Sequence, residues 1–241
     1  VFPLYIINEY PKSGGSWIGE MLSEALDIPF PRNRLPMIRS CILHGHLMHS
    51  WNLNNVLIVW RDGRDVLISQ YFHSLFENDR GNKLLVKKCR KDLQFDDYNN
   101  VSENLSVFME YVYERKKHPR MSWSDFVNKW FGKDNYTYIK YEDMRLNTIN
   151  ELIRIVKQLS NKTIDVGFAS KIVDNNSFKN MSGRNIGEQD KKSFMRKGIV
   201  GDWVNYFTSE TAEIFDYHAG DMLIELGYEK DHSWVESFNS I

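Results

Sequence analysis

Four short apolar runs alternate with longer stretches in which apolar residues return every three or four positions. The runs cover residues 4–7, 41–44, 56–59 and 136–140. Each has the length and apolar content of a buried strand. After the first run, Trp17, Ile18, Met21, Leu22, Ala25 and Leu26 fall on one face of a helix predicted over 16–26. The same periodicity predicts helices over 64–76, 104–116, 122–131, 148–159, 166–173 and 209–226. Strands alternating with helices predict an α/β fold, a central parallel sheet flanked by helices. Segments 79–103 and 179–195 are polar and aperiodic, and are neither tandem repeats nor linkers between domains.

The bulk numbers narrow the class. A chain of 241 residues, 42% hydrophobic, fits one domain spanning 1–241 with a sizeable core. Its 31 basic and 32 acidic residues leave a net charge of −1, so no nucleic-acid-wrapping surface is expected and any anion site must be local. Cys41 and Cys89 are the only cysteines; they give neither a disulfide framework nor metal-ligand spacing. The longest apolar runs, such as 56–60, are far shorter than a membrane span. The sequence shows no signal peptide, although it starts at Val1 and not at a methionine. Six N-x-[Ser/Thr] patterns begin at Asn100, Asn104, Asn135, Asn161, Asn175 and Asn180. Asn175 immediately precedes candidate site residues at 176–178 that a glycan would obstruct, so these asparagines are expected unmodified and the protein cytoplasmic.

The candidate chemistry begins at residues 4–17. A buried strand leads into Tyr10-Pro-Lys-Ser-Gly-Gly-Ser-Trp17, and a helix follows. Strand, glycine turn and helix start make an anion site: amides and the helix N-terminus point at the ligand, and glycine lets the backbone approach. Lys12 adds a cation, and Ser13 and Ser16 add hydroxyls. The nucleotide P-loop places its lysine after the last glycine. Here Lys12 precedes Gly14 and Gly15, so that pattern fails.

This Pro-Lys-Ser-Gly-x-Ser-Trp resembles the 5′-phosphosulfate loop of sulfotransferases that use 3′-phosphoadenosine 5′-phosphosulfate (PAPS). Two further segments carry the resemblance. Residues 56–74 run from a strand through Arg61 to Ser69, and residues 194–203 read FMRKGIVGDW, like the family signature RKGxxGDW. The resemblance implies that Arg61, Ser69, Arg196, Lys197 and Gly198 hold the cofactor's 3′-phosphate. An arginine at a strand's carboxyl end suits this, since its planar fork matches phosphate geometry. Tyr141-Glu-Asp-Met144 matches a motif whose tyrosine lies at the adenine. Ser177-Phe-Lys179 matches one whose phenylalanine stacks on that base. The implied clamp is Trp17 against Phe178, with Asn176 where the family often has an adenine-contacting threonine. Each base–aromatic stack is worth roughly 1–3 kcal/mol.

Residues 41–49 read CILHGHLMH. They are similar to the family's Lys-Thr-His-Leu-Pro, whose histidine deprotonates the acceptor; His46 matches it. A neutral imidazole suits that role near pH 7. The family lysine is replaced by His44 and the proline by Met48, so the lysine's part in steadying the sulfonate is open, and His44 and His49 are rival bases. Strand alternation puts His44 and His46 on one face.

The implied reaction is in-line transfer to a small-molecule hydroxyl or amine, releasing 3′,5′-adenosine bisphosphate (PAP). Lys12 would neutralise the leaving phosphate and no metal would take part. Asp62 and Asp65 are expected to serve a helix start or ion pairs. Alternatives are a carbohydrate or lipid acceptor, a related nucleotide kinase, and a non-catalytic nucleotide-binding module. The family's pairing motif after GDW is degraded, with Val204 for lysine and Ser209 for valine beside Thr208 and Glu213, which predicts a monomer.

Overall fold

The structure is a computed structural model and describes residues 3–32, 39–49 and 54–238. In chain order the elements are β1 (Leu4–Glu9), α1 (Gly15–Leu26), β2 (Cys41–Gly45), β3 (Val56–Trp60), α2 (Gly63–Leu75), α3 (Lys83–Asp92) and α4 (Val101–Glu110). A wider π-type turn over Tyr111–Arg115 follows, then α5 (Trp123–Trp130), β4 (Thr137–Lys140), α6 (Tyr141–Leu146) and α7 (Thr148–Ser160). The chain continues through α8 (Val166–Asn175), the short α9 (Phe178–Ser182), a 3-10 turn at Asp202–Asn205, α10 (Ser209–Glu225) and a 3-10 turn at His232–Phe238. No helix among the described residues is long and apolar enough to cross a membrane.

The chain forms two compact units, each from two stretches: Val1–Arg61 with Trp130–Ile186, and Asp62–Lys129 with Gly187–Ile241. The first unit holds the sheet, four parallel strands in the order β2-β1-β3-β4. Parallel strands covered on both faces need apolar residues at every position. Accordingly all of β3 is buried, while the edge strand β4 has one buried residue, Ile139. One core cluster joins Ile7 and Leu57 of the sheet to Ile18, Met21 and Leu22 of α1 and to Leu152, Ile155 and Val156 of α7. Because β1 lies between β2 and β3, the chain turns to opposite sides of it. Open α/β sheets bind ligands beyond the strand ends at such a point.

The second unit is helical. Asp62 caps α2 by accepting from the Arg64 amide, and Arg64 bonds back to Asp62 and to Glu229. The Arg64 guanidinium lies over the Trp203 ring at 3.9 Å and the Trp234 ring at 4.8 Å. Tyr71 packs edge-on against Phe108, with ring centroids 5.1 Å apart.

Two expectations need correction. Residues 79–103 are not an aperiodic loop, because α3 lies within them. Its buried positions are Val86 and Cys89, continued by Leu93, Leu84 is exposed, and five of its ten residues are lysine or arginine. The helix is short and half of its residues are basic, so the stretch reads as polar although its apolar residues share a face. The helix predicted over 104–116 starts earlier, at Val101, and loosens into the π-type turn before its end.

Candidate active site

The anion loop is built as its sequence requires. Lys12 has φ 78° and Gly14 φ 103°, so left-handed residues sit two apart in the loop, and the Ser13 amide closes its turn on the Tyr10 carbonyl at 3.2 Å. A Cβ on Gly14 would come within 2.5 Å of the Tyr141 ring, so this position needs glycine on both counts. A Cβ on Gly15 would lie 2.8 Å from the Glu9 carboxyl carbon. That close approach lets the Gly15 amide donate to Glu9 Oε2 at 2.5 Å. Ser13 and Ser16 are buried, and Arg32 donates to Ser16 Oγ at 3.0 Å. Arg61, just beyond β3, donates from Nη1 to the Lys12 carbonyl at 3.0 Å and lies 4.5 Å from the Tyr141 ring centroid.

The adenine candidates gather around the start of α1. The Trp17 indole donates to the Asn176 carbonyl at 2.8 Å and meets Tyr141 edge-on, with centroids 5.9 Å apart. Arg145 lies 5.6 Å from the Trp17 ring. Asn176 is buried, and its amide donates to Glu24 Oε1 at 2.7 Å and to the Ile172 carbonyl at 2.9 Å. Both donor hydrogens are thereby committed, which leaves Oδ1 as the group suited to an amino donor. Phe178 opens α9 behind its N-cap Ser177 and is buried, with Arg184 at 5.3 Å from its ring.

The imidazoles stand beside the loop. β2 pairs with β1 in a register that sets Ile7 opposite His44 and Asn8 opposite Gly45. The His44 and His46 rings meet edge-on, with centroids 5.0 Å apart. His46 Nδ1 lies 2.8 Å from the Glu9 carbonyl oxygen. A carbonyl only accepts, so Nδ1 carries hydrogen and the neutral ring keeps its lone pair on Nε2. Asn8 fixes the next residue: its Oδ1 accepts from the Leu47 amide at 2.6 Å, and Trp130 donates to the Leu47 carbonyl at 2.8 Å. Burial pushes the His46 pKa below its ordinary value, the Glu9 charge opposes this, and His44 adds to the depression. His49 is exposed.

Glu9 was not singled out by its sequence context, yet it bonds to His44, His46 and Gly15. Its Oε1 lies 2.7 Å from His44 Nε2, with the two side chains 4% and 5% exposed. Burial raises its carboxyl pKa, but the His44 hydrogen bond and charge, the nearby His46 and the Gly15 amide outweigh burial and hold it low. Glu9, His44 and His46 each offer a ligand atom within 4.8 Å of the others, a set able to hold a metal ion. The spacing along the chain did not reveal this cluster because Glu9 comes from a different strand. The available signal was a charged residue closing an otherwise apolar strand. Asn8 and Arg32 were missed in the same way.

In the second unit, Ser69 is half-buried on α2. Arg196 and Lys197 each pair with Asp202 at 2.6 Å. Gly198 has φ 69°. Asp65 accepts from the Gly201 and Trp203 amides at 2.8 and 3.1 Å, anchoring the Gly-Asp-Trp segment to α2. Asp62 and Asp65 thus serve a helix start, an ion pair and a loop anchor.

A parallel sheet whose carboxyl ends carry a glycine loop and oriented imidazoles defines an α/β protein that handles anionic ligands. The chain belongs to the family of the sulfotransferase domain, whose model matches residues 42–227. This makes it a PAPS-dependent transferase. Relatives include Sulfotransferase 1B1 of Mus musculus, 26% identical over 88% of this chain and 79% of its own length. Sulfotransferase 1C2 of Homo sapiens is 28% identical over 88% and 80%. A mouse sulfotransferase solved in complex with PAP matches the fold with TM-score 0.65 at 20% identity, over 98% of this chain and 88% of that one. A retinol dehydratase solved with androsterone and PAP matches with TM-score 0.53 at 18% identity, over 91% and 80%.

Proposed function

We propose that this protein moves the sulfonate of PAPS to a hydroxyl or amine of a small-molecule acceptor, with His46 as general base. The observation that carries the reading is the bond from His46 Nδ1 to the Glu9 carbonyl, which leaves Nε2 as the proton acceptor beside the anion loop. The acceptor atom attacks sulfur as its proton passes to Nε2, and the bond from sulfur to the bridging phosphate oxygen breaks. Charge developing on that oxygen meets Lys12, the loop amides and the start of α1, groups fixed before reaction. Trp17, Tyr141, Asn176 and Phe178 take the adenine, and Arg61 takes the 3′-phosphate. Ser69, Arg196, Lys197 and Gly198 are assigned to that phosphate on their motifs.

The solved relatives support the cofactor and the acceptor class: one is bound to PAP, another to PAP and androsterone. The hydrogen bonds among Glu9, His44 and His46 account for their arrangement without an ion, so the reading uses no metal. It further holds that 1–241 acts as one cytoplasmic transferase domain. Incubation with PAPS and panels of phenols, alcohols, amines, sugars and lipids, read by PAP release, tests it. Transfer confined to sugars or lipids would move the acceptor assignment. PAP binding without turnover on any panel would leave a nucleotide-binding module.

A further inference from the structure

We propose that Glu9 is the positioning residue of this site, its carboxylate holding His44 as a hydrogen-bond donor to the transferring sulfonate while its carbonyl holds His46 as the base. The inference rests on the transferase reading above and deepens it. Three observations carry it. First, a carboxylate accepts from His44 Nε2 at 2.7 Å in a pair almost wholly excluded from water. Nε2 therefore bears hydrogen, and the ring's other polar atom is Nδ1. Second, Nδ1 is buried and has no hydrogen-bond partner. A buried polar atom left unpaired carries a standing penalty that a bound ligand relieves. Third, the His44 and His46 rings meet edge-on at 5.0 Å, so both stand over the same end of the sheet.

The chemistry selects the ligand. Sulfonate oxygens only accept hydrogen bonds. To meet one, His44 must carry hydrogen on both nitrogens, one shared with Glu9 and one turned to the sulfonate. During transfer the new bond forms between the acceptor oxygen and sulfur, and the old bond to the bridging phosphate oxygen breaks with its electron pair. The acceptor's proton goes to His46 Nε2, while His44 keeps both of its protons. Because Oε2 also takes the Gly15 amide, one residue ties the donor and the anion loop through its carboxylate and the base through its main-chain carbonyl.

The test uses four variants, Glu9→Gln, His44→Gln, His44→Lys and the Glu9→Gln/His44→Gln double, with PAPS and the acceptor found by the panel. The zinc chelator EDTA is added in a parallel set, and PAP affinity and Tm are measured alongside. His44→Gln should lower kcat about 10²-fold with KM nearly unchanged, the usual loss for one donor to a developing charge. His44→Lys, which restores a cation without the ring, should stay within about tenfold of wild type. Glu9→Gln should lower kcat, and the double variant should fall no further than His44→Gln alone, as coupled partners do. Equal activity in His44→Gln and His44→Lys, whether high or low, would overturn the donor role. Additive losses in the double variant would overturn the role of Glu9. Activity abolished by EDTA and restored by zinc would make the cluster a metal site and overturn both. A wild-type protein inert toward every acceptor would remove the transferase reading itself.

Discussion

His46 is a base only in its neutral form, and its surroundings favour that form. Burial disfavours the imidazolium, Glu9 opposes this and His44 reinforces it, with a net lowering of the pKa. The sign follows directly: turnover falls when protonation occupies Nε2, and a lowered pKa moves that fall to more acid pH. The acid limb of the rate profile should therefore be centred below about pH 6.5, the ordinary histidine value. A limb centred above it would contradict the assignment. Replacing His46 by alanine should lower turnover roughly 10²–10⁴-fold with PAP affinity nearly intact, as calorimetry would show. Gly14→Ala strikes binding instead. Its Cβ would meet the Tyr141 ring at 2.5 Å, on a backbone at φ 103°. Loss of about 1–3 kcal/mol of stability is expected, read as a lower Tm, together with weakened PAP binding.

At the scale of elements, residues 196–203 are held by charge as well as by the aromatic contacts of Trp203. Asp202 is 2% exposed and bonds both Arg196 and Lys197, while Asp65 pins the neighbouring amides. Removing one partner of such a buried group strands the others, so Asp202→Asn should cost roughly 3–5 kcal/mol in denaturant titration. Burial raises the Asp202 carboxyl pKa, but the Lys197 and Arg196 bonds outweigh it and hold it below its ordinary value. Its stabilising contribution is thus complete above the ordinary carboxylate range and lost as pH falls through the depressed value. The four strands and most helices were legible because apolar period and length are local properties. The same holds for the anion loop, since its glycines and lysine are contiguous. α3 was missed because it is short and half of its residues are basic, which masks its apolar period. Glu9 was illegible because its meaning comes from β2 pairing beside it, a contact that no local pattern encodes.

For the whole molecule, assembly can be argued from α10. Thr208 is the N-cap of that helix and exchanges bonds with Thr211, so its hydroxyl is committed within the chain. Val204 is 54% exposed where the family's pairing motif has lysine. A surface that has lost its cation and its valine should not pair, and light scattering at micromolar concentration should return 28.5 kDa rather than twice that mass. The interleaving of the two units matters at an earlier stage, while the chain is still being made. The first unit is interrupted after Arg61 and resumes at Trp130. Its buried strand β3 must therefore wait for its neighbour β4 until Thr137–Lys140 emerges from the ribosome. At ~5–20 residues per second that wait is roughly 4–15 s. Throughout it the nascent chain carries an apolar strand with one open edge, the kind of template that captures other chains. Slower translation across residues 61–136 should therefore lower the yield of folded protein, and chaperone cover during that interval should restore it.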